Sequence, residues 1–458
     1  MNIFNIRYGF ACNSSSSHSL IFWDKPPESD EDSEFGWQYF TAADEHSRRR
    51  YASLLLKNVF KVPVDDYNLA EKTREFIITQ LGGDFSPDYG YIDHDSDGLV
   101  MPTDHKGDVN TEFAKEWLEW FAKAPLAILG GNDNDDVVHP AYSQEKEEII
   151  YRNYPYATGV YGIARKDPQY NFWTVFNPTN GTKLRFSFEN TETPTRASTP
   201  ELVDIKITDY CPYNCGYCYM GSTIKGTHAD NYLLGRLVRL MSELNVFEVA
   251  IGGGEPTLHP YFDDFVLSLH ANGIVPNFTT RNLSWLRDPV RAKAITEVCG
   301  AFAFSVDESS KVREAYATWL PYQDKIKLNI QVVPGAMWPD RLEDILQTCK
   351  TLHIPVTLLG YKSTGRGGEP KYDYDWMAIV KKVGLSRVAI DTLLAKDLPA
   401  DVPPIFYHTQ EGAWSMYIDA VTGRAGASSY SENLTSFSLN DYYLEGAIRK
   451  IFTELTPE

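Results

Sequence analysis

Cys211, Cys215 and Cys218 fall within one short stretch, Cys-Pro-Tyr-Asn-Cys-Gly-Tyr-Cys. Three thiolates this close in sequence can face one centre only if the backbone wraps around it. Two chemistries use such a loop, an iron–sulfur cluster and a zinc ion. A [4Fe–4S] cluster held by three cysteines keeps one iron without a protein ligand, open to a small molecule. A structural zinc needs a fourth ligand, for which His228 is the best-placed residue.

The flanking segments must hold the loop. Before it, Leu202–Thr208 alternates apolar and polar residues and predicts a strand. After it, Leu233, Leu234, Leu237, Val238, Leu240, Met241 and Leu244 recur at helical spacing, with Asp230 as N-cap. Val246–Ile251 predicts a second strand, which runs into Gly252-Gly253-Gly254-Glu255-Pro256. Glycines let a backbone approach a ligand, and a carboxylate can pair with an ammonium group.

Strand, cysteine loop, helix, strand and Gly-Gly-Glu-Pro, in that order, resemble the radical S-adenosylmethionine (radical SAM) superfamily over about residues 200–390. The resemblance implies one [4Fe–4S] cluster on Cys211, Cys215 and Cys218, with SAM chelating the fourth iron. It places Tyr217 beside the adenine, and Gly253, Gly254 and Glu255 at the methionine ammonium. Thr280 and Ser305 fall where the family hydrogen-bonds the methionyl or ribose part. Asp307 is a further cofactor-side candidate at a strand end, and Asn329 and Gln331 lie on the strand that lines adenine and ribose. An external donor would supply an electron, SAM would be cleaved reductively, and the 5′-deoxyadenosyl radical would take hydrogen from a substrate.

Strands and helices alternate from residue 200 onward, with further strands expected at 274–280, 301–307, 327–333 and 355–360. That is α/β architecture with a parallel sheet. It resembles the partial (β/α)6 TIM-type barrel of the superfamily, whose chemistry sits at the C-terminal strand ends. Glu255, Thr279, Thr280, Ser305, Asp307, Tyr361, Lys362 and Arg366 occur there.

The chain has 458 residues, 43% hydrophobic, and a net charge of −19. This balance argues against a nucleic-acid partner, which wants a basic surface. No apolar run approaches the ~20 residues of a membrane helix, and Met1–Arg7 lacks the apolar core of a signal peptide. An oxygen-sensitive cluster and unpaired thiols suit the cytoplasm. Cys12, Cys299 and Cys349 are scattered singly; the last two each end a helix-like stretch and are read as small buried residues.

Three domains are expected. Residues 1–195 form an N-terminal α+β domain of unrecognised fold, ending in the polar linker 189–200. Helices are expected over 40–82, a buried strand and acidic turn over 124–136, and a hairpin around Asn180-Gly181. Ser14–Ser17 with His18 reads either as a self-satisfied loop or as a ligand loop, and Asp93–Asp104 either as a turn-rich loop or as a calcium loop. Residues 196–400 hold the barrel.

Residues 401–458 form a short C-terminal extension, a hairpin turning at Thr422-Gly423 and a closing helix at 440–454. The hairpin resembles the one that opens the extension of peptide-modifying radical SAM enzymes. There a cysteine holds an auxiliary cluster; here the place is Ser428 or Ser429, and no cysteine follows Cys349, so one cluster is expected. A peptide made on the ribosome is the favoured substrate, with epimerisation, rearrangement or fragment excision as outcomes and a leader-binding partner protein as a companion. A small metabolite or nucleotide is the alternative. A non-catalytic zinc module is the third reading.

Overall fold

A parallel sheet needs a crossover between every two strands, and the sequence from Leu202 supplies a helix at each step. The computed structural model describes residues 2–7, 19–22, 40–41, 102–123, 126–130, 150–152, 162–179, 181, 183–188, 193–385, 388–398, 409–439 and 441–457. Two units result, Met1–Thr193 and Pro194–Glu458.

Among the described residues the first unit holds two four-stranded antiparallel sheets. One runs β1 (Asn2–Arg7), β8 (Lys183–Ser187), β7 (Trp173–Phe176), β6 (Ile163–Lys166). The other runs β3 (Phe40–Thr41), β4 (Leu126–Gly130), β2 (Ser19–Phe22), β5 (Ile150–Arg152). The predicted hairpin is β7–β8, with Trp173 opposite Phe186 and Gly181 turning at φ 73°. Helix α1 (Thr111–Lys123) packs on this sheet through Phe113, edge-on to Trp173 at 5.0 Å and to Phe186 at 6.0 Å. The helices expected over 40–82, the Ser14–Ser17 stretch with His18, Cys12 and Asp93–Gly98 lie outside the described residues.

The second unit is organised on a ten-stranded sheet among the described residues. Its parallel strands, in spatial and chain order, are β9 (Leu202–Thr208), β10 (Glu248–Gly253), β11 (Val275–Thr280), β12 (Ala301–Ser305), β13 (Lys327–Val332), β14 (Val356–Leu358) and β15 (Ala389–Ile390). The crossovers carry α2 (Asn231–Glu243), α3 (Phe262–Ala271), α4 (Ser284–Arg287) with α5 (Pro289–Val298), α6 (Ser309–Trp319), α7 (Pro339–Thr351) and α8 (Trp376–Val383). Asp230 caps α2 as expected, accepting from the Tyr232 and Leu233 amides. The short α9 (Thr392–Ala395) follows β15. Cys299 and Cys349 are buried in the helix-side core.

The two faces of the sheet differ. Phe278, Phe302, Phe304, Leu328, Ile330 and Val332 point at the helices and are buried. Asn277, Thr279, Ala303, Ser305, Asn329 and Gln331 alternate with them and are half-buried. A fully packed parallel sheet reads as continuous apolar residues. Here only the convex face is packed, and the concave face is polar or small.

The tail strands belong to this sheet. β16 (Ser415–Asp419) pairs in parallel with β9, and β17 (Arg424–Gly426) and β18 (Thr435–Ser436) continue antiparallel beyond it. Helix α10 (Leu444–Glu454) buries Leu444, Ile448 and Phe452 in the same core. β16 is pinned to β9 by charge. Lys206 Nζ lies 2.9 Å from Asp419 Oδ2 and 2.7 Å from Asp209 Oδ1, with the Lys206 and Asp419 side chains nearly covered. Asp419 Oδ1 also accepts from the Val421 and Thr422 amides that turn into β17. Burial alone would raise the Asp419 carboxyl, but Lys206 and Thr422 outweigh it and hold it below the usual range. Asp419→Ala should destabilise the unit by about 3 kcal/mol, because it strips a buried ammonium of one counter-charge. A urea midpoint equal to wild type would show that β16 is held without the pair.

Candidate active site

The cysteine loop is rooted where β9 and β10 end. The Gly254 amide donates to the Thr208 carbonyl at 2.7 Å, and the Glu255 amide to the Tyr210 carbonyl at 2.8 Å. A Cβ at Gly254 would lie 2.2 Å from the Tyr210 carbonyl oxygen, so only glycine permits this contact. The Gly-Gly-Glu segment is thereby stitched to the residue that precedes Cys211.

Glu255 then gathers the next strand end. The residue is 1% exposed. Oε1 accepts from the Thr257 hydroxyl at 2.7 Å and the Thr280 hydroxyl at 2.6 Å; Oε2 accepts from the Arg281 amide at 2.9 Å. Burial raises the Glu255 pKa against these bonds. The side chain therefore ties the ends of β10 and β11 together.

The loop itself turns through Asn214 at φ 47°, a left-handed conformation that asparagine tolerates. The three cysteines are half-buried. Burial pushes the Cys211 thiol up against a backbone hydrogen bond at Tyr213, and Glu255, Cys215 and Cys218 push it the same way. These groups therefore share one neighbourhood. Tyr217 is raised to about 12 by burial. Arg281, directly after β11, reaches back over the loop. Its Nη1 lies 2.9 Å from Cys215 Sγ and 3.4 Å from the Tyr217 hydroxyl, and its Nη2 lies 2.9 Å from Asp307 Oδ2. Among the described residues, no three His, Cys, Asp or Glu side chains converge on a single ion position.

The loop after β14 is strapped onto the cysteines. The Arg366 amide donates to the Cys218 carbonyl at 2.9 Å, Arg366 Nε to the Cys215 carbonyl at 3.2 Å, and the Thr364 hydroxyl to the Tyr219 carbonyl at 3.1 Å. Gly365, at φ 59°, sits so close that a Cβ would meet the Tyr219 carbonyl oxygen at 2.3 Å. From the same loop Lys362 enters the concave side. Its ammonium lies 4.7 Å from the Tyr219 ring centre and 4.8 Å from that of Tyr430, with Asp391 Oδ2 at 3.9 Å. Asp204 on β9 and Glu411 before β16 complete its surroundings. Burial works against the Lys362 charge, but Tyr219, Asp391, Asp204 and Glu411 outweigh it and raise its pKa. β14 and β15 stand several strands from β9 in the sheet order. The sheet therefore curls until its parallel ends approach, and a charged cluster links them; among the described residues no strand pairs beyond β15.

Residues 205–353 match the family profile of the radical SAM superfamily. These residues form a radical SAM domain, and the chain is an enzyme. The superfamily implies SAM and an iron–sulfur cluster. No curated protein sequence matches the chain. Among solved structures it is similar to Streptococcus suis SuiB bound to precursor peptide SuiA, at 16% identity and TM-score 0.43, covering 56% of this chain and 67% of SuiB. It is also similar to BtrN in complex with AdoMet and 2-DOIA, at 11% identity and TM-score 0.24, covering 56% of this chain and 87% of BtrN.

The radical SAM domain brings most of the sequence-predicted residues together: the three cysteines, Tyr217, Gly253, Gly254, Glu255, Thr280 and, through Arg281, Asp307. Ser305 and Gln331 stand side by side in register on β12 and β13, and neither side chain hydrogen-bonds to the loop. Asn329 Oδ1 accepts from the Thr357 hydroxyl. His228 does not join the cysteines; its Nδ1 is 2.9 Å from the Thr208 hydroxyl and its ring meets His259 edge-on. Arg281 and Asp204 are marked by no motif in the sequence. A charged residue directly after a barrel strand was the available signal for Arg281. Asp204 was hidden as the polar half of an alternating strand.

Asp204 is raised from 3.8 to about 6, chiefly by burial, with Glu411 adding and Lys362 opposing. The folded state thus holds this proton more tightly than the unfolded chain does. The stability it contributes is full below the unfolded value and is lost as pH rises through about 6. Asp204→Asn should therefore flatten the fall in Tm between about pH 4 and 6. A wild-type profile already flat across that window would refute the assignment.

Proposed function

We propose that this enzyme cleaves SAM reductively at a single [4Fe–4S] cluster held by Cys211, Cys215 and Cys218, and takes a hydrogen atom from a peptide lying against the concave face. The observation that carries the reading is the meeting of the cysteine loop, Gly253–Glu255 and Arg281 at the C-terminal ends of β9 to β11. The donor set fits a cluster. Three half-buried cysteine thiols of one loop, neighbours of one another, are the ligand type such a centre takes. When bound, the cluster and SAM together supply a hydrogen-abstracting radical, with the electron drawn from an external donor.

The chain's own residues bind, orient and shield. Gly253 and Gly254 bring the backbone close at the methionyl end, while Glu255 orders Thr280 and Arg281 around it. Tyr217 offers a ring to the adenine. Ser305, Asp307 and Gln331 line the way to the ribose side from β12 and β13. The polar concave face meets substrate, and the strap through Arg366 covers the loop against water.

The sheet edge near Lys362 supports a peptide, since among the described residues no strand pairs beyond β15 and an extended chain can enter there. With one cluster, epimerisation, rearrangement or fragment excision suit the site, and a leader-binding partner protein would suit the N-terminal unit. The charged cluster of Lys362, Asp204, Asp391 and Glu411 favours the alternative, a small polar metabolite bound whole.

Cys215→Ala, reconstituted anaerobically with iron and sulfide, should lose the brown chromophore and bring 5′-deoxyadenosine to the enzyme-free background. Continued SAM cleavage by this variant would remove Cys215 from the cluster. Glu255→Ala should keep its iron yet bind SAM about tenfold more weakly, about 1.4 kcal/mol. Equilibrium dialysis that finds unchanged affinity would take Glu255 out of the SAM site.

A further inference from the structure

Arg281 is held from three directions. Its amide is fixed by Glu255 Oε2 at 2.9 Å, and one guanidinium nitrogen by Asp307 Oδ2 at 2.9 Å. The other nitrogen is left 2.9 Å from Cys215 Sγ. The side chain is only 20% exposed, whereas Asp307 is 42% exposed. The arginine charge is therefore the less screened of the two, and it lies against the Cys215 sulfur.

We infer that Arg281 sets the reduction potential of the iron–sulfur centre, by presenting an N–H and a permanent positive charge to the Cys215 sulfur. The inference rests on the reading of Cys215 as a cluster ligand given above. Reduction adds one negative charge to the centre. A cation at a ligand sulfur stabilises the reduced form more than the oxidised form, and an N–H bond to that sulfur strengthens as the sulfur becomes richer in electrons. Both effects make the electron easier to accept. Arginine does not lose its proton at working pH, so this setting is constant with pH in a way that a lysine or histidine would not ensure. Asp307 has a second role here: it aims the guanidinium and moderates its charge.

A purely structural tie between the loop and β12 would disturb loop order without a signed effect on the potential. The test is a redox titration followed by electron paramagnetic resonance, without SAM, on reconstituted wild type, Arg281→Lys, Arg281→Gln and Asp307→Asn, each with iron and sulfide quantified. Arg281→Gln should shift the midpoint down. At the wild-type midpoint its reduced-to-oxidised ratio should fall about tenfold, which is about 59 mV for one electron. Arg281→Lys should fall between the two. Asp307→Asn, which releases the full charge of Arg281, should shift the midpoint up.

A fully loaded Arg281→Gln with the wild-type midpoint overturns the inference. Should Arg281→Gln take up no iron, Asp307→Asn carries the test with Arg281 in place, and an unchanged or lowered midpoint overturns it. A wild-type protein that takes up no cluster overturns the cysteine assignment as well, and that result appears in the iron analysis before any midpoint is read.

Discussion

The site depends on one buried carboxylate. Glu255 accepts from Thr257, Thr280 and the Arg281 amide, while its own amide is bonded to Tyr210. A single residue thus joins the root of the cysteine loop, the end of β10 and the end of β11. Buried carboxylates are costly unless every lone pair finds a donor. Here the donors are the groups that end β10 and β11 beside the cysteine loop. The desolvation penalty and the geometry of the site are the same constraint.

The polar concave face sets a second condition. Parallel sheets usually bury both faces, and this one leaves Asn277, Thr279, Ser305, Asn329 and Gln331 half-covered. The convex face carries the packing instead, with Phe278 at the centre of an aromatic group formed with Phe262, Trp285 and Phe302. Stability and chemistry are therefore assigned to opposite faces of the same strands. The charged cluster at Lys362 draws the two ends of the curled sheet together.

Local signals made much of this legible in the sequence. The spacing of Cys211, Cys215 and Cys218, the glycines before Glu255, the Asp230 cap and the Asn180-Gly181 turn all act within a few residues. The alternation of β9 to β14 with helices is likewise a matter of period. What was not legible depends on partners far apart in the chain. Nothing near Lys362 in sequence announces Asp204 or Tyr430, and nothing near Arg281 announces Cys215. The tail illustrates the same limit: its hairpin could be read from Thr422-Gly423, but its parallel pairing with β9 is decided by Lys206 and Asp419, which only the folded chain brings together.

The strap from Lys362 to Gly367 has a consequence for how such a scaffold can be diversified. In barrels of this kind, new specificity is commonly built by exchanging the loops at the C-terminal strand ends. The loop after β14 is not free for that use. Its backbone and its arginine hold the carbonyls of Cys215 and Cys218, and Gly365 fits against Tyr219 with no room for a side chain. An insertion there would be felt at the cysteine loop before it was felt by any substrate. Variation in what the enzyme accepts is accordingly better sought in the loops after β12 and β13, where Ser305 and Gln331 make no bond to the cysteines.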